Sequence, residues 1–148
     1  NGMGVLGTLK LTTAKRTKTI SPVAYRRDRL ARRLAEQIAL AKAQRDGTQY
    51  VATKMGKVLD VETGEKRTVQ LNKRVKEWWF TAETGKTCVA LRYGATLIEL
   101  AKGKTAVELA SKNELVATLE MLYKAVQDGE LDTQLEAASS TVRSGFKK

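Results

Sequence analysis

The chain predicts an α+β domain: a long basic N-terminal helix, an antiparallel β-sheet of hairpins, and a C-terminal helix or helix pair. Three observations predict it. Apolar residues recur at helical spacing over about 22–46. From Gln49 the apolar period becomes two and holds to about residue 109. After Ser111 the helical spacing returns. A length of 148 residues suits one folding unit. Residues 1–20 are expected as an N-terminal strand or basic arm, 21–142 as the single α+β domain, and 143–148 as a frayed tail.

The arm opens with Val5, Leu6, Leu9 and Leu11, then turns basic at Lys15, Arg16 and Lys18. Asn1 and Gly2 before Met3 read as a cloning remnant and are set aside. Ser21-Pro22 marks a helix start, because Ser accepts a bond from a free first-turn amide and Pro fits the first helical position. The helix is expected over 22–46, stopping at Asp46-Gly47. Val23, Leu30, Leu34, Ile38 and Ala41 share one face, and Arg26, Arg29 and Arg33 an adjoining one, with Arg32 nearby. Leu40 falls near that basic side.

Strands are expected at 49–55, 57–61, 66–71, 74–81, 87–93, 96–101 and 105–109. Glu62-Thr63-Gly64-Glu65-Lys66 and Glu83-Thr84-Gly85-Lys86-Thr87 each place Gly between apolar runs, where a hairpin loop often needs positive φ. Ser111-Lys112-Asn113-Glu114 has the spacing of a capping box opening a helix over about 112–127. Leu115, Leu119, Leu122 and Val126 form its buried face, and a last short helix follows at about 133–142.

The chemistry-bearing residues are sparse. Histidine is absent, which removes the commonest general base and metal ligand. A single cysteine, Cys88, lies in an apolar run and reads as a buried thiol, so neither a disulfide nor a zinc cluster is expected. Gly85-Lys86-Thr87 and Gly103-Lys104-Thr105 mimic the end of a phosphate loop, but Phe80 and Ile98 stand where its first glycine belongs. No two carboxylates are placed for acid–base work; Glu77 beside the tryptophans would favour its neutral form if buried, but reads as the partner of a neighbouring Lys or Arg. No enzyme, cofactor or metal is expected. No run of apolar residues is long enough to span a membrane. The N-terminus shows no secretory segment, so the cytoplasm is the expected compartment.

Charge is the informative quantity. Lys and Arg total 27 against 16 acidic residues, a formal net charge of +11. Residues 1–47 hold 11 basic and 3 acidic side chains, whereas 111–148 hold 5 and 6. Residues 26–33 alone carry five arginines and one acid, Asp28. Such a gradient favours a polyanion footprint, nucleic acid first.

Two adjacent tryptophans add a second signal. In a strand over 74–81, Arg74, Lys76, Trp78 and Phe80 share one face, with Lys73, Val75, Glu77, Trp79 and Thr81 on the other. On the next strand Val89, Leu91 and Tyr93 are the apolar face that Trp79 is expected to join. Trp78 then stands among Arg74, Lys76 and Arg92. An aromatic ring among cations suits single-stranded nucleic acid, with a base on the ring and phosphates on the charges. Both tryptophans in the core is the competing reading.

The stretches Leu11-Thr12-Thr13-Ala14-Lys15, Lys73-Arg74-Val75-Lys76-Glu77-Trp78-Trp79 and Ser144-Gly145-Phe146-Lys147 resemble a small uncharacterised bacterial and prophage protein family. The likeness covers nearly the whole chain from Met3. It implies a phage or mobile-element setting and brings no activity, so no site is carried over.

The expectation is a non-catalytic nucleic-acid-binding protein. Lys15, Arg16, Lys18, Arg26, Arg29, Arg33, Arg74, Lys76 and Arg92 would hold phosphates and Trp78 a base. The ligand is DNA or RNA, with single strands slightly favoured. The alternatives are a module gripping an acidic host protein, or an assembly subunit forming a homodimer through exposed strand edges.

Overall fold

The computed structural model describes residues 4–15 and 21–146, with side chains through 141. The chain is α+β, as its periodicities predict. Helix α1 spans Pro22–Asp46. Ser21 Oγ accepts the Ala24 amide at 3.1 Å, and Pro22 occupies the first turn. The helix ends at Gly47, whose φ of 72° is left-handed. The Thr48 amide then donates back to the Ala43 carbonyl at 2.8 Å.

Strands β1 (Ala52–Leu59) and β2 (Lys66–Lys73) form an antiparallel hairpin that is a sheet by itself. One strand runs where two were expected. Gly56 continues the ladder, and the Leu71 side chain fills the space above it. The turn is built as its sequence suggests: Asp60 Oδ1 accepts the Glu62 amide at 2.9 Å, and Gly64 takes φ 75°.

A second sheet has the order β3 (Trp79–Thr81), β4 (Thr87–Val89), β7 (Val107–Glu108), all antiparallel. Gly85 at φ 85° turns β3 into β4, so the Gly-Lys-Thr stretch there is a hairpin corner. A third sheet pairs β5 (Arg92–Tyr93) with β6 (Thr96–Leu97). The single strand expected over 87–93 is thus split. The Ala90 amide bonds the Trp78 carbonyl at 2.9 Å, while the Leu91 carbonyl accepts from the Ile98 amide at 2.9 Å. The backbone changes partners between these two residues. Beyond β6 only an isolated bridge, Ala101 to Lys104, remains of the expected 96–101 strand.

The chain re-enters helix through a 3-10 turn at Lys112–Glu114, then α2 (Leu115–Gln127) and α3 (Asp132–Phe146). The expected capping box does not form, and Glu114 reaches one residue beyond the N-cap. Glu114 Oε2 accepts the Ala110 amide at 3.3 Å, but Ser111 makes no side-chain cap. The last helix is longer than expected and continues to Phe146. At the other end, Gly4–Thr8 forms a 3-10 turn instead of a strand.

The core lies where α1 crosses α2 and α3 and where the small sheets close over them. Leu30, Leu34, Val89, Leu91, Ile98, Leu119, Val126 and Leu135 are fully buried. Cys88 is a buried free thiol. Of the apolar stripe expected on α1, Leu30, Leu34 and Ala41 are buried and Ile38 is half-buried, but Val23 is exposed. Among the described residues no helix is long and apolar enough to cross a membrane.

Candidate functional site

Gln37 is the polar member of the buried stripe of α1, at 3% exposure. Its position explains why Arg74–Trp78 is not a strand. Gln37 Nε2 donates to the Lys76 carbonyl at 2.8 Å, and its Oε1 accepts the Trp78 amide at 2.9 Å. One side-chain amide thus takes two backbone groups that a neighbouring strand would otherwise bond. The expected strand over 74–81 is therefore irregular from Arg74 to Trp78 and regular only in β3. The Trp78 carbonyl is held from the other side by the Ala90 amide. The segment is pinned between helix and sheet, and its side chains are presented along the edge of a cleft.

The two tryptophans part company here. Trp79 is buried at 7% exposure, opposite Val89, in the cluster with Leu91 and Tyr93. That is the packing expected for it, although the strand alternation invoked for Trp78 does not exist. Trp78 is half-buried against the core, and its remaining surface lines the cleft. It is no free-standing platform. Phe80 is the more exposed ring, at 48%.

The cleft has a volume of about 330 Å³ between α1, the Lys73–Trp78 segment and the β5–β6 hairpin. Arg29, Arg33, Lys73, Arg74, Lys76 and Arg92 line it with a single carboxylate, Glu36. Glu36 is doubly engaged: Arg33 Nη1 donates to Oε1 at 3.1 Å, and the Lys73 ammonium lies against Oε2. Arg29 sits over the buried Tyr93 ring, 4.7 Å from its centroid, a cation–π contact that fixes its head. Arg92 Nη1 donates to the Ala95 carbonyl at 3.0 Å. Among the described residues Arg29, Arg74, Lys76 and Arg92 have no carboxylate in ion-pair range. Uncompensated cations at the rim of an open cleft hold a positive potential there.

A second hollow of about 390 Å³ continues along α1. It shares Arg29, Arg33, Glu36 and Lys73 with the first and adds Tyr25, Asp28 and Arg32. Tyr25 is half exposed, and Arg32 is spent on Asp28 at 3.0 Å.

Six of the residues singled out in the sequence therefore meet in one place: Arg29, Arg33, Arg74, Lys76, Trp78 and Arg92. Arg26 does not line the cleft and lies within electrostatic reach of Asp132 on α3 instead. Beside it Arg27 Nε donates to Asp132 Oδ1 at 2.8 Å, and this hydrogen bond holds the Asp132 carboxyl below its ordinary value. Lys15 is exposed on the irregular segment that follows the first 3-10 turn, and Arg16 and Lys18 lie outside the described residues. The charge gradient along the chain is thus not what builds the cleft. Four of its six cations come from residues 73–92 and two from α1.

Sequence reading missed Gln37, Glu36, Lys73 and Tyr25. For Gln37 a signal existed: with Leu30, Leu34 and Ala41 it completes a helical stripe, where a polar residue must find partners.

A profile of a family of unknown function, DUF6641, matches residues 4–135, and the chain belongs to that family. This agrees with the resemblance to an uncharacterised family, and it assigns no role to any residue. No curated protein and no solved structure matches the chain.

Proposed function

We propose that this protein is a non-catalytic nucleic-acid-binding protein whose cleft takes a single-stranded segment. The observation that carries the reading is the convergence of six cations and one indole on a cleft with a single, already neutralised carboxylate. Arg29, Arg74, Lys76 and Arg92 hold phosphates. Trp78 offers its accessible surface to a base, a contact worth ~1–3 kcal/mol where stacking is complete. A duplex keeps its bases stacked inside, so it reaches the rim cations but not the indole. Single strands are therefore preferred, whether DNA or RNA. A phage-related setting, supported by the sequence resemblance alone, and a cytoplasmic one, supported by the expected lack of a secretory segment, belong to the same proposal. Titration with single- and double-stranded oligonucleotides at two salt concentrations tests the reading. Tighter, salt-sensitive binding of the single strand supports it, and indifference to both ligands refutes it.

One observation favours a second reading, a grip on an acidic protein. Val5, Leu6, Leu9 and Leu11 are all more than half exposed in the N-terminal segment. Apolar side chains of this kind suit a protein surface better than a phosphate backbone. A stoichiometric protein partner retained from nuclease-treated lysate would support that reading over the first.

A further inference from the structure

Apart from Lys73 at its base, the β1–β2 hairpin has no part in the function proposed so far, yet it is the longest strand pair among the described residues. Two strands of eight residues extend about 27 Å at the usual rise. A two-stranded ribbon without a covering layer is marginal in water, and this one forms a sheet alone.

Its register sorts the side chains into two unlike faces. Paired residues share a face, and faces alternate along the ladder. One face carries Lys73, Lys54 and Arg67 with Leu71, Val69 and Val58 between them. The other carries Met55, Leu59, Lys57 and Lys66 with threonines and amides, and every residue on it is exposed. Lys73 orients the ribbon: its ammonium lies on Glu36 of α1, inside the cleft. The face bearing Lys73 is therefore the face that starts at the cleft.

That face is built low. A Cβ at Gly56 would overlap Leu71 Cδ1, so the Leu71 side chain lies across the ribbon where any larger residue would lift it. Val69 and Leu71 are half-buried there. Among the described residues Lys54 and Arg67 have no carboxylate in ion-pair range. The charge reverses only at the tip, where Asp60, Glu62 and Glu65 gather.

We propose that the Lys73 face of the hairpin is a continuation of the cleft that carries the same single strand outward. Phosphates lie on Lys54 and Arg67, bases lie on the apolar floor of Leu71, Val69 and Val58, and the acidic tip ends the track. The inference rests on the nucleic-acid reading of the cleft. It adds a length to the site: a short strand fills the cleft alone, and only a longer one reaches the ribbon.

The test compares labelled oligothymidylates of about 4 and about 16 nucleotides, the range of site sizes of such grooves. The full chain is used with three double variants: Lys54→Gln/Arg67→Gln on the proposed face, Lys57→Gln/Lys66→Gln on the opposite face, and Glu62→Gln/Glu65→Gln at the tip. The first should weaken the long oligonucleotide severalfold and reduce its log–log salt slope by ~1.4, at ~0.7 per phosphate contact. It should leave the short one unchanged. The opposite-face variant should cost clearly less, and the tip variant should tighten the long ligand only. Equal losses from the two faces, or a loss independent of length, would overturn the hairpin track while the cleft still binds. Absence of salt-dependent binding by the unaltered protein would overturn the cleft reading and this inference with it.

Discussion

Gln37→Met keeps the length and stem of the side chain while deleting both polar ends. The Lys76 carbonyl and the Trp78 amide lose partners at 2.8 and 2.9 Å. Each such bond contributes ~0.5–1.5 kcal/mol net, and a buried group left without a partner costs ~1–3 kcal/mol. The cleft is open, so water can rehydrate part of the loss, and the expected destabilisation is about 2–3 kcal/mol by those figures. For a chain of this size one kcal/mol moves the midpoint by about 4 °C, so melting should fall by about 8–12 °C. Binding should suffer too, because Arg74 and Lys76 ride on the released segment. Thermal melting followed by circular dichroism reads the first effect, and oligonucleotide anisotropy at low salt reads the second. A midpoint within about 2 °C of the parent together with unchanged affinity would refute the reasoning. The Trp78–Ala90 bond would then suffice to hold the segment.

Two further outcomes are expected. Trp78→Ala should abolish most of the fluorescence quenching caused by single-stranded oligonucleotide, because Trp79 is buried and out of reach. Undiminished quenching in that variant would remove the indole from the proposed site. The Arg27 hydrogen bond lowers the Asp132 carboxyl from 3.8, so its contribution is complete above the unfolded value and vanishes as pH falls through the folded one. Asp132→Asn should therefore be less stable than the parent near neutral pH, with the gap closing in acid as the carboxyl protonates in the folded state. Denaturant titrations at neutral and acid pH check this, and a gap that persists in acid would contradict it.

The helices and turns were legible because their signals are local. Ser21, Pro22 and Gly47 mark α1 to the residue, and Gly64 and Gly85 mark the two hairpin corners. The small sheets were less legible because strand ends depend on which backbone groups find partners. Ala90 and Leu91 look continuous in sequence and bond in different directions in space. The Arg74–Trp78 stretch alternates like a strand, yet Gln37, 39 residues away from Lys76, takes its hydrogen bonds. The same distance effect governs the site. A cluster of five arginines on α1 stood out in the sequence, but only Arg29 and Arg33 face the cleft. Arg27 is bound to Asp132 and Arg32 to Asp28. Sequence counts cations and cannot count their partners, because those partners arrive from elsewhere in the chain.

The central claim is that Arg29, Arg74, Lys76 and Arg92 act together on phosphates. Its most direct test is the salt dependence of single-strand binding by the parent and by Arg74→Gln/Lys76→Gln. For a strand of about 4 nucleotides, which fills the cleft alone, four contacts at ~0.7 each predict a log–log slope of about −3 for the parent and about half that for the variant. A slope near zero, or one that the double substitution leaves unchanged, would contradict the account.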